Sequence, residues 1–216
     1  MPKSPDTRTG ATPDTGTGGT SDRPPGTASG PGGPLVLRQL TSPGAATPAL
    51  RRALAACWVE VTNAGGAAGF PFPPIGQEQA AEAVDALAGS LAPETSRILL
   101  ATTDADAAAD GLVGWLHIRR DAFRLTAHWG TLHHVQTRPA VRGRGYGAVL
   151  MAEVRRVARE EMGLEQLHLA ARGGAGLETF YARHGWRETG RRPGVLRFAP
   201  DGSDDRDEVL MHLDPL

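Results

Sequence analysis

The sequence predicts an α+β domain whose mixed, mostly antiparallel central sheet is flanked by helices. Helical and strand periodicities both occur, two strand-like runs double back on each other, and the order is strand, two helices, strands, helix, strand, helix, two strands. The first apolar run, Leu35-Val36-Leu37-Arg38-Gln39-Leu40, reads as a short strand that stops at Ser42-Pro43-Gly44. A helix follows from about Pro48, because Leu50, Leu54, Cys57, Trp58 and Val61 fall at three- and four-residue steps and proline suits a first turn. Asn63 through Pro74, rich in Gly, Ala, Phe and Pro, is expected to be a loop. From about Gln77 to Leu91, Ala80, Val84, Leu87 and Leu91 share one helical face.

Arg97–Ala101 and Leu112–Ile118 then predict a hairpin across an Asp/Ala turn, and about Ala127 to Gln136 predicts a third strand. A helix from about Gly147 carries Leu150, Val154, Val157 and Ala158 on one face and Arg155, Arg156 and Arg159 on the other, ending at Gly163. Leu167–Ala171 is the next strand, a Gly173-Gly174-Ala175-Gly176 loop follows, and Leu177–Arg183 is a short helix. The last strands are expected near Val195–Phe198 and Glu208–Leu213. Trp115 and Trp129, on strands, are expected in the core.

Composition bounds the alternatives. The 216 residues provide for one domain, expected over residues 35–216, and a tail. Residues 1–34 hold Pro, Gly, Ser, Thr and Asp with almost nothing apolar, too little to offset the entropy of ordering, so a disordered tail is expected. A net charge of −1 offers no field for nucleic acid or an anionic membrane. No apolar stretch approaches the roughly 20 residues that cross a bilayer, and the N-terminus lacks an apolar signal core. Cys57, the single cysteine, excludes an intrachain disulfide, fits a reducing, cytoplasmic setting, and reads as a small buried residue. Lys3 is the only lysine, a pattern that fits a GC-rich coding bias.

The segment with the most chemistry is Arg142-Gly143-Arg144-Gly145-Tyr146-Gly147, between a predicted strand and a predicted helix. Closely spaced glycines let backbone N–H groups approach an anion, and the helix adds its unpaired N-terminal donors and positive dipole end. Arg142 and Arg144 add charge, so a polyphosphate is the natural ligand. A Walker-type loop is excluded because no lysine follows the glycines. Gly143, Gly145 and Ala148 match a relaxed dinucleotide fingerprint, but no acid ends the next strand to hold a ribose, and no βαβ unit surrounds the loop.

These residues resemble the Arg/Gln-x-x-Gly-x-Gly/Ala motif of the GNAT superfamily of N-acyltransferases. Val135-Gln136-Thr137-Arg138-Pro139-Ala140-Val141 stands where that family's strand end stands, and Phe180-Tyr181-Ala182-Arg183-His184-Gly185-Trp186 is similar to its Leu-Tyr-x-x-x-Gly-Phe segment. The resemblance covers about Leu35 to Leu213. It implies acetyl-CoA as cofactor, with backbone groups of Val135, Gln136 and Thr137 along the pantetheine arm and those from Arg142 to Ala148 around the pyrophosphate. It also implies Tyr181 as the acid that protonates the departing thiolate. Two positions depart from the pattern: Gly174 stands where Asn is frequent, and no acidic residue occupies the fourth strand, which carries Thr131, His133 and His134 instead.

Acyl transfer to nitrogen needs a proton acceptor, for which histidine is suited near neutral pH, so His133 or His134 is the candidate base. Equally, either could simply pack in the sheet. A zinc site from His117, His128, His133 and His134 lacks compact spacing or a cysteine, and no metal is expected. In the resembled fold the segment between the first two helices lines the acceptor site, so Glu60, Asn63, Phe70 and Phe72 are expected to contact substrate; the phenylalanines could instead pin the loop. The apolar, glycine-rich loop and the lone domain favour a small-molecule amine over a protein tail, similar to the antibiotic-inactivating branch, in a monomer or homodimer. The alternatives are a non-catalytic CoA-binding module, a protein N-acetyltransferase, or a dinucleotide oxidoreductase.

Overall fold

The computed structural model describes residues 35–66, 69–103 and 108–216; the expected tail, 1–34, and much of the expected Asp/Ala turn lie outside them. Seven strands form one sheet in the order β1-β2-β3-β4-β5-β7-β6: β1 Val36–Leu40, β2 Ser96–Thr102, β3 Leu112–Arg120, β4 Trp129–Thr137, β5 Gln166–Arg172, β6 Arg187–Arg197 and β7 Asp205–Leu213. Every neighbouring pair is antiparallel except β4 and β5. The helices are α1 Pro48–Asn63, α2 Gln77–Gly89, α3 Tyr146–Arg156 and α4 Leu177–Ala182.

Local chemistry explains the boundaries. The Thr47 hydroxyl accepts the Leu50 N–H at 3.3 Å and Pro48 opens α1 with its φ already set. After α3 the chain continues as a wide π turn, Val157–Glu161, before Gly163 ends it in a left-handed conformation at φ 60°. The helices lie on opposite faces of the sheet. Leu54, Cys57, Trp58 and Val61 of α1 and Ala80 and Val84 of α2 pack on Ile98, Leu100 and Trp115. Leu150, Val154 and Tyr181 pack on Leu99, Leu116, Leu132, Leu167 and Leu169. Because β2 alternates between these two cores, all seven of its residues are buried, and its middle, Ile98 to Ala101, reads as a continuous apolar run. Each fully buried Leu or Ile contributes roughly 1.5–3 kcal/mol.

Two expectations change. The strand anticipated near Val195–Phe198 begins at Arg187. It is an exposed edge strand paired only to β7, with register shifts after Glu188 and Arg192, so it needs no apolar alternation and tolerates Pro193. Trp115 is fully buried, but Trp129 is only half-buried, its ring 3.9 Å from that of His168 between centroids. Among the described residues no helix is long and apolar enough to cross a membrane.

Candidate active site

The site originates in a defect of the sheet. β4 and β5 pair only over Trp129–Thr131, with Thr131 opposite His168. Between the pairs His117–His133 and Trp115–Gln136, β3 supplies one residue, Leu116, and β4 two, His134 and Val135. That extra residue is a β-bulge, and His134 adopts φ 53°, which a non-glycine residue holds only when its surroundings impose it. Beyond the bulge β4 still pairs with β3 but diverges from β5, so its backbone from Leu132 to Thr137 borders an open cleft of about 940 Å³.

The glycine loop closes one end. Gly143 and Gly145 sit at φ 80° and 84°, and a Cβ built on either would meet nothing within 4 Å, so the loop presents backbone to open space. Gly145 caps α3, whose first N–H groups at Tyr146, Gly147 and Ala148 have no partner one turn earlier. Gly147 has a different task, since its would-be Cβ lies 3.2 Å from the Phe180 ring and its smallness lets α3 approach α4. Arg142, Gly143, Gly145, Tyr146, Gly147 and Ala148 border the cleft, whereas Arg144 is exposed outside it.

Tyr181, from α4, borders the same cleft while only 7% exposed, wedged against Phe180 and Trp186. Burial alone pushes its hydroxyl pKa well above the ordinary tyrosine value, so the proton is retained at physiological pH. Three histidines cluster on β3 and β4, of which His133 and His134 border the cleft. The His117 ring lies 5.6 Å from that of His133 and 6.4 Å from that of His134, and Ser96 Oγ is 2.9 Å from His117 Nε2. His134 is boxed by Trp58 and Trp115 at 4.4 and 6.0 Å between ring centroids. Burial, reinforced by the neighbouring histidines, pulls His134 down to about 4 and His117 to about 3. His133 is also lowered, by burial and then by Arg119, and its Nε2 is buried without a hydrogen-bond partner. All three are therefore neutral at pH 7. Among the described residues no group of His, Cys, Asp or Glu is arranged to hold a metal.

Residues 94–188 match the family model for the acetyltransferase (GNAT) domain. Over that segment, which runs from just before β2 to the start of β6, the chain is similar to GNAT acetyltransferases. Its fold superposes on a protein assigned as a phosphinothricin N-acetyltransferase with a TM-score of 0.66 at 18% identity, over 83% of this chain and 98% of that one. The ribosomal-protein-alanine N-acetyltransferase from Brucella melitensis gives 0.63 at 19%, covering 83% and 99%. A GCN5-related N-acetyltransferase from Kribbella flavida gives 0.62 at 22%, covering 84% and 98%. No curated protein sequence matches the chain.

Within this GNAT architecture the residues expected along the cofactor come together: Val135, Gln136 and Thr137 on the open edge, the glycine loop at its end, and Tyr181 beside both. The residues expected on the acceptor side do not. Asn63 is used as a clamp, donating from Nδ2 to the Ile75 carbonyl at 3.1 Å and accepting the Ile75 N–H at 2.8 Å. Glu60 pairs with Arg138. Phe70 packs 4.8 Å from the Trp58 ring, and Phe72 is 46% exposed; none of the four borders the cleft. That loop contributes Gly65, Gly66 and Gly69 instead. The Gly65 carbonyl accepts from Arg172 of β5, and a Cβ on Gly66 would lie 2.9 Å from Arg142 Nη2, so the turn spans from one side of the splay to the other. Arg172, which sequence reading passed over, ends its strand immediately before a Gly-Gly pair.

Proposed function

We propose that the protein is an acetyl-CoA-dependent N-acetyltransferase that moves an acetyl group to a primary amine of a small acceptor by direct attack in a ternary complex. The observation that carries this reading is the convergence, in one cleft, of the open β4 edge, the glycine loop at the start of α3 and the buried Tyr181 hydroxyl. The site fits the cofactor's chemistry. Unpaired strand amides and carbonyls suit the amide groups of a pantetheine arm, and the positive-φ glycines leave backbone N–H groups free to approach a pyrophosphate. Acetyl-CoA, when bound, supplies the activated thioester.

The protein's own residues then handle protons. His133, which borders the cleft and whose ring is neutral, takes the proton that the attacking nitrogen must shed. His134, held between two tryptophans, shapes the bulge that puts His133 there. The Tyr181 hydroxyl, kept protonated by burial, gives its proton to the departing sulfur. The Gly65–Gly66 turn, tied to Arg172 and close to Arg142, narrows the acceptor side, which favours a compact amine over a polypeptide tail.

Calorimetric titration with acetyl-CoA, followed by a thiol-release assay over an amine panel, tests the proposal. Micromolar binding with amine-dependent thiol release is the expected result. No binding would remove it, and binding without turnover of any amine would leave a non-catalytic CoA module.

A further inference from the structure

Arg172 has a charge that its surroundings do not balance. β5 alternates, with Leu167, Leu169 and Ala171 in the core beneath α3 and α4. His168, Ala170 and Arg172 therefore face the α1 side, the side closed by the Gly65–Gly66 turn. The Arg172 guanidinium donates to the Gly65 carbonyl and lies 5.0 Å from the centre of the Phe198 ring. A carbonyl and a ring face are neutral partners, and one bond leaves most of the five guanidinium donors unused.

The nearby carboxylates are each engaged elsewhere. Glu208, directly across the strand pair from Arg172, is held by Arg192 at 2.7 Å. Asp204 pairs with Arg206, and Asp207 with Arg191 at 3.2 Å. Among the described residues no carboxylate pairs with Arg172. Burial is the main influence on its guanidinium, lowering its pKa, with Arg206 acting in the same direction and Asp204 against it. A half-buried cation without a counter-ion is costly to hold and is the residue type best shaped to take a planar oxyanion two-pronged.

We infer that Arg172 recognises a negatively charged group of the acceptor, so that the preferred acceptors are primary amines bearing a carboxylate or comparable oxyanion. This rests on the N-acetyltransferase reading above. The binding step exchanges the Gly65 carbonyl, or adds to it, with no covalent change. The same chemistry could be supplied by a phosphate of the cofactor, and the test separates the two sources.

Glycine, β-alanine and γ-aminobutyrate, each beside its carboxamide, form matched pairs for steady-state acetylation. The amide keeps the amine and removes the charge. The wild type is expected to favour the acids by about 10–100-fold in kcat/KM, the range of a charge-assisted hydrogen bond. Arg172→Gln should abolish that preference and leave the acetyl-CoA Kd unchanged, while Arg172→Lys, which keeps the charge without the fork, should retain part of it. Acetylation of amides as readily as acids, or a glutamine variant that lowers both equally, overturns the inference while the acetyltransferase reading stands. A weakened acetyl-CoA Kd with acid preference intact assigns Arg172 to the cofactor and also overturns it. Acetyl-CoA binding with no turnover of any amine overturns the inference and the catalytic reading together.

Discussion

The two walls of the cleft are built on opposite principles. The wall we assign to the cofactor is made of backbone: an unpaired strand edge, two glycines at positive φ and the free end of α3. The wall we assign to the acceptor is made of side chains drawn from distant segments: histidines on a bulge, Arg172 at the end of β5, and a turn after α1. A backbone site demands particular residues in a short run, since only glycine holds those φ values cheaply while leaving room. A side-chain site demands only that distant residues meet.

The sharpest way to break the comparison is to put a side chain into the backbone wall. Gly145→Asp forces φ 84° on a non-glycine residue and sets a carboxylate where an anion is expected to bind. Loss of acetyl-CoA affinity beyond detection by calorimetry is the expected outcome, with the fold intact by circular dichroism. Unaltered affinity would place the pyrophosphate elsewhere.

Tyr181 stands where the walls meet. Tyr181→Phe keeps the ring against Phe180 and Trp186 and removes only the hydroxyl. If that hydroxyl protonates the leaving sulfur, kcat should fall by about 10²–10⁴-fold with little change in KM for acetyl-CoA. A nearly silent phenylalanine variant, with harm only from Tyr181→Ala, would reduce the residue to packing.

This division explains what was legible in the sequence. The strands and helices of the core were, because β2 and β3 carry short apolar runs where both their faces are buried and α3 carries the helical period of its buried face. The glycine loop was, because its residue types are dictated by its backbone. Of the acceptor wall only His133 and His134 were. Phe70 and Phe72 looked like pocket residues by composition, yet Phe70 serves the α1 core and Phe72 faces solvent. Asn63 looked like a polar contact, but a 12-residue separation from Ile75 hid its structural clamp. Arg172 gave no local signal, since its importance depends on Glu208 being claimed by Arg192. The N-terminal half of β6 was missed because an exposed edge strand has no buried face to imprint a pattern.

The histidines offer a pH test of the acceptor wall. A base of ordinary histidine pKa would give kcat/KM an acidic limb near 6.5. Burial holds His133 lower and His134 at about 4, so the limb due to the base should lie below 6.5. Activity needs the neutral ring and is lost as pH falls through that pKa. His133→Ala should remove the limb; its persistence would move the base elsewhere. The same burial affects stability with a definite sign. Below about 6.5 the unfolded chain binds protons that folded His117, His133 and His134 refuse, so stability declines as pH drops from 6.5 toward their folded values. His117→Gln, which can preserve the bond to Ser96, should flatten the Tm decline over that window.

The smallest expected effect tests whether Glu60 belongs to the acceptor wall at all. Its carboxylate pairs with Arg138, but the Glu60 side chain is 45% exposed and the ion pair lies in contact with water. Such pairs contribute about 0–1 kcal/mol, because solvent screens the attraction and ordering two long side chains costs entropy. Arg138 is also anchored independently, donating from Nε to the Leu112 carbonyl at 2.8 Å, so loss of its partner should not release the strand end after β4. Glu60→Gln is therefore expected to shift Tm by only a few degrees and to leave KM for any acceptor essentially unchanged. Paired with Arg172→Gln, it separates the two ways a charged residue could matter here. Arg172 should change which amines are accepted, whereas Glu60 should change neither rate nor selectivity. A large rise in acceptor KM for Glu60→Gln would mean that the α1 end reaches further into the cleft than its ion pair indicates, and would return Glu60 to the substrate wall.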